Sequence, residues 1–205
     1  MKVKICGITN VPDALAAVHA GAWAVGFNFY QKSPRAITYQ KANDIIAKLP
    51  KGTLKIGIFI EESSEEIIEI MIALGLDLAQ VYQNYDEPSQ LKQKRILCLQ
   101  LDTLENCPPQ HILDQYAYIL IDAPCNAENG AYGGTGQTAN WEIAKKVAQH
   151  NRLILAGGLN PANVHHAIAV VKPVGIDVAS GIEILPGKKD HKLIENFFRQ
   201  VKHAK

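Results

Sequence analysis

Lys2-Val3-Lys4-Ile5-Cys6-Gly7-Ile8-Thr9-Asn10 is the stretch on which the reading of the chain turns. β-Branched residues at every second position, closed by Cys-Gly and followed by Val11-Pro12, predict a strand that feeds a helix through a tight loop. Alternation puts Val3 and Ile5 on one face and Lys4 and Cys6 on the other, so an amine and a thiol share a wall. A thiol with a pKa of about 8.5 is a poor base until a cation favours its thiolate, and Lys4 is placed to be that cation. Strand cysteines are more often core than reactive, so on this stretch alone both readings of Cys6 stay open.

The same order of short apolar run and helix recurs along the chain. Further strands are predicted over 23–29, 54–60, 78–82, 95–99, 116–121, 153–156 and 174–178. Helices are predicted over 13–20, 40–49, 87–94, 108–115, 141–150 and 190–202. One more runs from the capping box Ser63-Ser64-Glu65-Glu66 to Leu74 before Gly75, and another is opened by Pro161 and ends at Val171. Residues 30–38 read as a solvated polar connection, and Ala179-Ser180-Gly181 as the start of a loop. Eight strands, most followed by a helix, with no shift of composition and no linker, predict one α/β domain over residues 1–205. Its expected form is a closed parallel (β/α)8 barrel near the minimal length. A doubly wound sheet would need an early Gly-rich phosphate loop, which Cys6-Gly7-Ile8-Thr9 is not.

The bulk composition narrows the partners. With 21 basic and 20 acidic residues the chain carries no overall field for nucleic acid or an anionic membrane, so any anion site is local. No run approaches the ~18 apolar residues of a membrane span, and the first residues enter a strand directly, which gives the expectation of a cytoplasmic protein. Cys6, Cys98, Cys107 and Cys125 show no C-x-x-C spacing, and the seven histidines form no H-E-x-x-H, so neither a disulfide framework nor a metal site is indicated.

In a barrel the C-terminal strand ends open on one face, where Cys6, Asn28, Asp122, Gly157-Gly158 and Asp177 to Gly181 converge. Gly157-Gly158 and Ser180-Gly181 follow strands seven and eight, where barrels commonly hold phosphate on bare backbone N–H groups. Asp122 ends an apolar strand and sits over low-dielectric walls. That environment raises a carboxyl pKa and suits a general acid, although a loop-ordering Asp fits the position equally. Asp177 lies one step inside strand eight and needs a partner, for which Lys4 on the adjoining strand is the candidate. Gly134-Thr135-Gly136-Gln137-Thr138-Ala139 matches a dinucleotide fingerprint in letters alone: it does not directly follow its strand, and Leu153-Ile154-Leu155 stands where the acidic residue belongs.

Several stretches together closely resemble one family. They are Lys4-Ile5-Cys6-Gly7-Ile8-Thr9, Gly26-Phe27-Asn28-Phe29-Tyr30 with Ser33-Pro34-Arg35, Gly133-Gly134-Thr135-Gly136, Ala156-Gly157-Gly158-Leu159-Asn160-Pro161-Ala162-Asn163-Val164, Asp177-Val178-Ala179-Ser180-Gly181-Ile182-Glu183 and Pro186-Gly187-Lys188-Lys189-Asp190. Taken in order from one terminus to the other, they resemble the phosphoribosylanthranilate isomerases of tryptophan biosynthesis. The resemblance implies an Amadori rearrangement of N-(5-phosphoribosyl)anthranilate to an open-chain 1-deoxyribulose phosphate. It implies Asp122 as general acid, Cys6 as general base, Arg35 on the anthranilate carboxylate, and Gly158, Ser180 and Gly181 on the phosphate. Asp177 and Lys4 would stand behind these groups. The implied partner is a small phosphosugar, with no metal or organic cofactor, no nucleic acid and no membrane, in a monomer or homodimer.

Three stretches depart from the family's pattern. Its usual Gln-Leu-His-Gly after strand four is replaced by Val81 followed by Tyr82-Gln83-Asn84-Tyr85. Its Phe-Asp-Trp becomes Ala139-Asn140-Trp141, and the aromatic after Pro-Arg becomes Ala36. Two other readings are weighed against this one. A sibling phosphosugar barrel such as the ProFAR isomerase of histidine biosynthesis typically uses two aspartates, where this chain offers Cys6 and Asp122. A non-catalytic phosphosugar-binding subunit would have no use for an acid and a base on opposite walls.

Overall fold

The computed structural model describes residues 1–82, 91, 93–124 and 136–204. Eight strands close into a parallel barrel in chain order. They are β1 (Lys2–Ile5), β2 (Ala24–Asn28), β3 (Leu54–Phe59), β4 (Leu78–Val81), β5 (Arg95–Gln100), β6 (Tyr118–Asp122), β7 (Leu153–Leu155) and β8 (Gly175–Val178). Outside them lie α1 (Val11–Ala20), α2 (Tyr39–Ile46), α3 (Ser64–Leu74), α4 (Gln110–Leu113), α5 (Trp141–Ala148), α6 (Val164–Val171) and α7 (His191–His203). The expected (β/α)8 barrel is the fold. The helix expected over 87–94 falls mostly outside the described residues, as does the whole stretch from Cys125 to Thr135. Among the described residues, no helix is long and apolar enough to cross a membrane.

Local signals start and stop the helices where the chemistry requires. Asn10 caps α1, its Oδ1 accepting from Asp13 N at 2.9 Å, and both halves of the Ser63–Glu66 capping box form at the head of α3. Two expectations fail locally. Pro161 does not open α6: Asn160 Oδ1 accepts from Ala162 N at 2.8 Å, and Asn163 Oδ1 accepts from Asn160 N at 2.9 Å. These side-chain turns hold the backbone out of the helix until Val164. After β8, a 3-10 turn at Ser180–Ile182 leads into an antiparallel hairpin, β9 (Glu183–Leu185) and β10 (Lys188–Lys189), in place of an open loop.

Period-two alternation divides the core in two. Val3, Ile5, Val25, Phe27, Ala79, Val81, Ile119 and Ile121 face the helices, whereas Ala24, Ile56, Leu78, Ile96, Leu120 and Ile154 fill the barrel interior. The same parity turns Lys4, Cys6, Gln80, Tyr82, Cys98, Asp122 and Asp177 inward. Apolar side chains fill the lower interior, and polar ones the end toward which the strands run.

The barrel closes where β1 meets β8, with Lys4 in register with Asp177. Lys4 is fully buried. Its Nζ donates to Asp177 Oδ1 at 2.9 Å and to Gln80 Oε1 at 3.0 Å. Gly26 on β2 leaves the space this needs, since a Cβ there would lie 3.1 Å from Lys4 Cε and 3.2 Å from Cys6 Sγ. Removing one member of a buried pair leaves the other charge uncompensated, at a cost of about 3–5 kcal/mol. Lys4→Met is therefore expected to lower the unfolding free energy by about 3 kcal/mol or more in urea titrations. The double change Lys4→Met/Asp177→Leu should recover most of that loss.

Candidate active site

The barrel mouth holds a cavity at the C-terminal strand ends that opens to solvent. Cys6, Arg35, Asp122, Gly158, Asp177 and Ser180 all line it. These come from five loops or strand ends that are far apart in the chain. Lys4 sits beneath them. Gly181 does not line the cavity; it packs so tightly on the Leu159 carbonyl that a Cβ there would overlap it. The expected site residues are thus brought together, with Lys4 and Gly181 one layer behind.

Lys4 has three N–H donors and no acceptor. Asp177 and Gln80 take two, and the Cys6 thiol stands near enough for its charge to act on the ammonium. The question of whether Lys4 serves Asp177 or Cys6 has the answer that it serves both. Burial opposes the charge on Lys4, but Asp177 and Cys6 outweigh it and hold the ammonium well above its ordinary pKa. Burial also dominates at Cys6 and pushes the thiol up. Lys4 and then Lys189 pull it down, while Asp177 pushes it up by offsetting Lys4. The simple expectation that Lys4 alone yields a thiolate therefore fails, because burial outweighs it and Asp177 adds to the opposition.

Asp122 ends β6 inside the same mouth. Burial pushes its carboxyl up to about 6, against the single backbone hydrogen bond that favours the anion, from Ala123 N to Oδ1 at 2.8 Å. Among the described residues no arginine or lysine forms an ion pair with it. A carboxyl so placed retains its proton close to neutrality and is fit to donate it.

Arg35 overturns the reading of residues 30–38 as a solvated connection. It is only 7% exposed. Asn28 orders the loop, with Nδ2 donating to Ser33 Oγ at 3.0 Å and Oδ1 accepting from Tyr30 N at 3.0 Å. The positive φ of Gly7 and its missing side chain let the Arg35 stem lie against the first loop. The guanidinium is bidentate on Glu183: Nε donates to Oε1 at 3.0 Å, and Nη2 to Oε2 at 2.7 Å. The same carboxylate accepts from Lys189 Nζ at 2.7 Å. Gly157 and Gly158 both have positive φ, and their bare Cα atoms admit the backbones of Ala123, Gly136, Gln137 and Ala139. Among the described residues no group of His, Cys, Asp and Glu could hold a metal ion.

Against known proteins, residues 3–200 match the family model described as N-(5'-phosphoribosyl)anthranilate (PRA) isomerase. The chain is 42% identical over 209 residues to the N-(5'-phosphoribosyl)anthranilate isomerase of Pelobacter propionicus, covering 100% of this chain and 97% of that one. The crystal structure of phosphoribosyl anthranilate isomerase from Thermotoga maritima superimposes with a TM-score of 0.84 at 37% identity, covering 99% of both chains. A phosphoribosyl anthranilate isomerase in complex with reduced 1-(o-carboxyphenylamino)-1-deoxyribulose 5-phosphate gives a TM-score of 0.81 at 35% identity, again over 99% of both chains. The chain belongs to the phosphoribosylanthranilate isomerase family.

Within that family its departures acquire physical content. Asn140 replaces an Asp yet still caps α5, with Oδ1 accepting from Glu142 N at 3.1 Å and Ile143 N at 3.2 Å. Ala139 is buried against Gly157. Ala36 bridges to Asn28. Tyr82 lines the cavity, its hydroxyl accepting from Gln80 Nε2 at 3.2 Å; Gln83, Asn84 and Tyr85 lie outside the described residues. The residues that sequence reasoning missed are Gln80, Glu183 and Lys189. Gln80 had a signal, an amide at an inward position of the apolar run Leu78-Ala79-Gln80-Val81. Glu183 and Lys189 appeared only as letters of a family pattern, because the hairpin that folds them onto Cys6 was read as a loop.

The raised carboxyl of Asp122 has a consequence for stability. Its folded pKa of about 6 exceeds the ordinary 3.8, so the native state holds this proton more tightly than the unfolded chain does. The stabilisation from that proton is complete below pH about 4 and is lost as pH rises through about 6. Asp122→Asn, which buries no charge, is expected to raise the unfolding free energy by about 2 kcal/mol at pH 8, allowing for water at the mouth, and by nothing below pH about 4. Urea unfolding at the two pH values measures this, and turnover should be lost in the same variant.

Proposed function

We propose that the chain catalyses the Amadori rearrangement of N-(5-phosphoribosyl)anthranilate to 1-(2-carboxyphenylamino)-1-deoxyribulose 5-phosphate, with Asp122 as general acid and Cys6 as general base. The observation that carries this reading is the contrast between two groups in one cavity. Asp122 ends β6 and keeps its proton to about pH 6, and Cys6 follows β1 with two ammonium groups to support its thiolate. An aldose-to-ketose shift needs such a pair, because the proton is added at one substrate atom and removed from another.

Asp122 gives its proton to the furanose ring oxygen; the ring C–O bond breaks, and the electrons on nitrogen form the imine at C1. The Cys6 thiolate then takes the proton from C2, and that electron pair forms the C1–C2 double bond of the enolamine as the imine nitrogen is neutralised. Tautomerisation places a proton on C1 and leaves the ketone at C2. Arg35 faces the anthranilate carboxylate, and the backbone N–H groups of Gly158 and Ser180 face the phosphate, with Gly181 packed behind them. Because burial holds Cys6 above Asp122, the thiolate–carboxyl form is a minor tautomer of the singly protonated pair. The limbs of the pH profile then belong to the pair.

The test is the loss of fluorescence of freshly prepared N-(5-phosphoribosyl)anthranilate, run beside the corresponding histidine-pathway aminoaldose. The expected result is faster turnover of the anthranilate, on a bell with an acid limb near pH 6 and an alkaline limb above the ordinary thiol range. Cys6→Ser should reduce turnover by about 100-fold or more and remove the alkaline limb while product still binds. Preference for the histidine intermediate, or turnover that survives in Cys6→Ser, would overturn the assignment.

A further inference from the structure

Lys189 belongs to β10, outside the barrel, yet its side chain is only 2% exposed and reaches the ends of β1 and β8. Its Nζ donates to the Cys6 carbonyl at 2.6 Å, to the Ala179 carbonyl at 3.3 Å and to Glu183 Oε1 at 2.7 Å. Three donors meet three oxygens. The main chain of Lys189 is tied as well, its N–H donating to Asp13 Oδ2 at 2.8 Å, while the other Asp13 oxygen lies 2.9 Å from His191 Nε2. Burying an ammonium costs several kcal/mol unless it is well partnered, so an apolar side chain would fill this space more cheaply if filling it were the only requirement.

Counting charge distinguishes this cation from Lys4. The groups that face Cys6 are Lys4 on β1, Tyr82 after β4, Cys98 on β5, Asp122 on β6, Asp177 on β8, Lys189 on β10 and Arg35 from the second loop. Lys4 and Asp177 cancel. Lys189, Glu183 and Arg35 form a second cluster with one negative and two positive charges, so the cluster anchored on the Cys6 carbonyl is itself net positive, balanced only from across the mouth by Asp122 once that carboxyl ionises above pH about 6.

We propose that Lys189 is a positioning residue for Cys6: its ammonium clamps the carbonyls of Cys6 and Ala179 and, with Glu183 offsetting Arg35, brings net positive charge to the strand end that carries the thiol. This rests on the reading of Cys6 as the base. The clamp joins the thiol's turn to the turn of Ser180, so base and phosphate grip are set by one group. Glu183 has a matching task. It occupies the Nε–Nη2 edge of Arg35 and leaves the Nη1–Nη2 end to the cavity, which selects the edge that a substrate carboxylate meets.

The experiment follows alkylation of Cys6 by iodoacetamide in the substrate-free protein from pH 5 to 11, read by peptide mass spectrometry, with half-buried Cys107 as an internal reference. Lys189→Met is expected to raise the Cys6 midpoint by about one pH unit, making labelling about tenfold slower at a fixed pH below it, while Cys107 is unchanged. Lys189→Arg should restore the wild-type midpoint. Lys189→Gln, which keeps a donor for the carbonyls but no charge, should follow Lys189→Met and provides the same reading if the Met variant does not fold. An unshifted midpoint in a folded Met or Gln variant, or an Arg variant no better than either, would overturn the proposal. The labelling involves no turnover. A shifted midpoint in a protein that fails to isomerise phosphoribosylanthranilate would therefore sink the isomerase reading and leave the role of Lys189 standing.

Discussion

A lysine at the centre of a barrel can persist only if every proton it carries has a place to go. Lys4 donates to Asp177 and Gln80 with the Cys6 thiol beside it, and much of the upper interior is arranged around it. Asp177 is its register partner across the closing seam, so the ion pair and the closure of the sheet occur at the same point. Gln80 turns its amide toward Tyr82 because its carbonyl is already occupied by Lys4. Gly26 is needed on the neighbouring strand for the Lys4 stem to pass beside Cys6.

The same constraint separates the two cations near the thiol. Lys4 pulls the thiol down, but Asp177, its partner across the seam, opposes that pull. Lys189 comes from a hairpin that the barrel itself does not require, and it brings charge that Glu183 shares with Arg35 and so does not fully offset. Across the mouth Asp122 has one backbone donor and little else to favour its anion, which is why it holds a proton to higher pH. Burial raises both groups, and the cations beside Cys6 oppose it at the thiol more than the single backbone donor does at Asp122.

What the sequence made legible follows from periodicity. The alternation of Lys4 and Cys6 against Val3 and Ile5, repeated in seven other runs, was enough for the barrel and for the face on which Cys6, Asp122, Gly158 and Ser180 meet. The pairing of Lys4 with Asp177 followed from burial cost alone. Contacts made through irregular backbone were not legible: the side-chain turns of Asn160 and Asn163 that delay α6, the burial of Arg35 in a loop rich in polar residues, and the hairpin that carries Glu183 and Lys189 back to β1. Each depends on hydrogen bonds between residues whose proximity no local pattern encodes.

The surroundings of Asp122 hold its carboxyl proton to higher pH than an ordinary aspartate does. The most direct measurement is a titration of the protein labelled with 13C at the aspartate side-chain carboxyls, followed by NMR and assigned by the resonance missing from Asp122→Asn. The account predicts one aspartate signal with a midpoint near pH 6, set by burial and by the single Ala123 hydrogen bond. If the resonance assigned to Asp122 titrated at or below pH about 4, the ordinary aspartate range, the carboxyl would be ionised at neutral pH and the assignment of Asp122 as the acid would be contradicted.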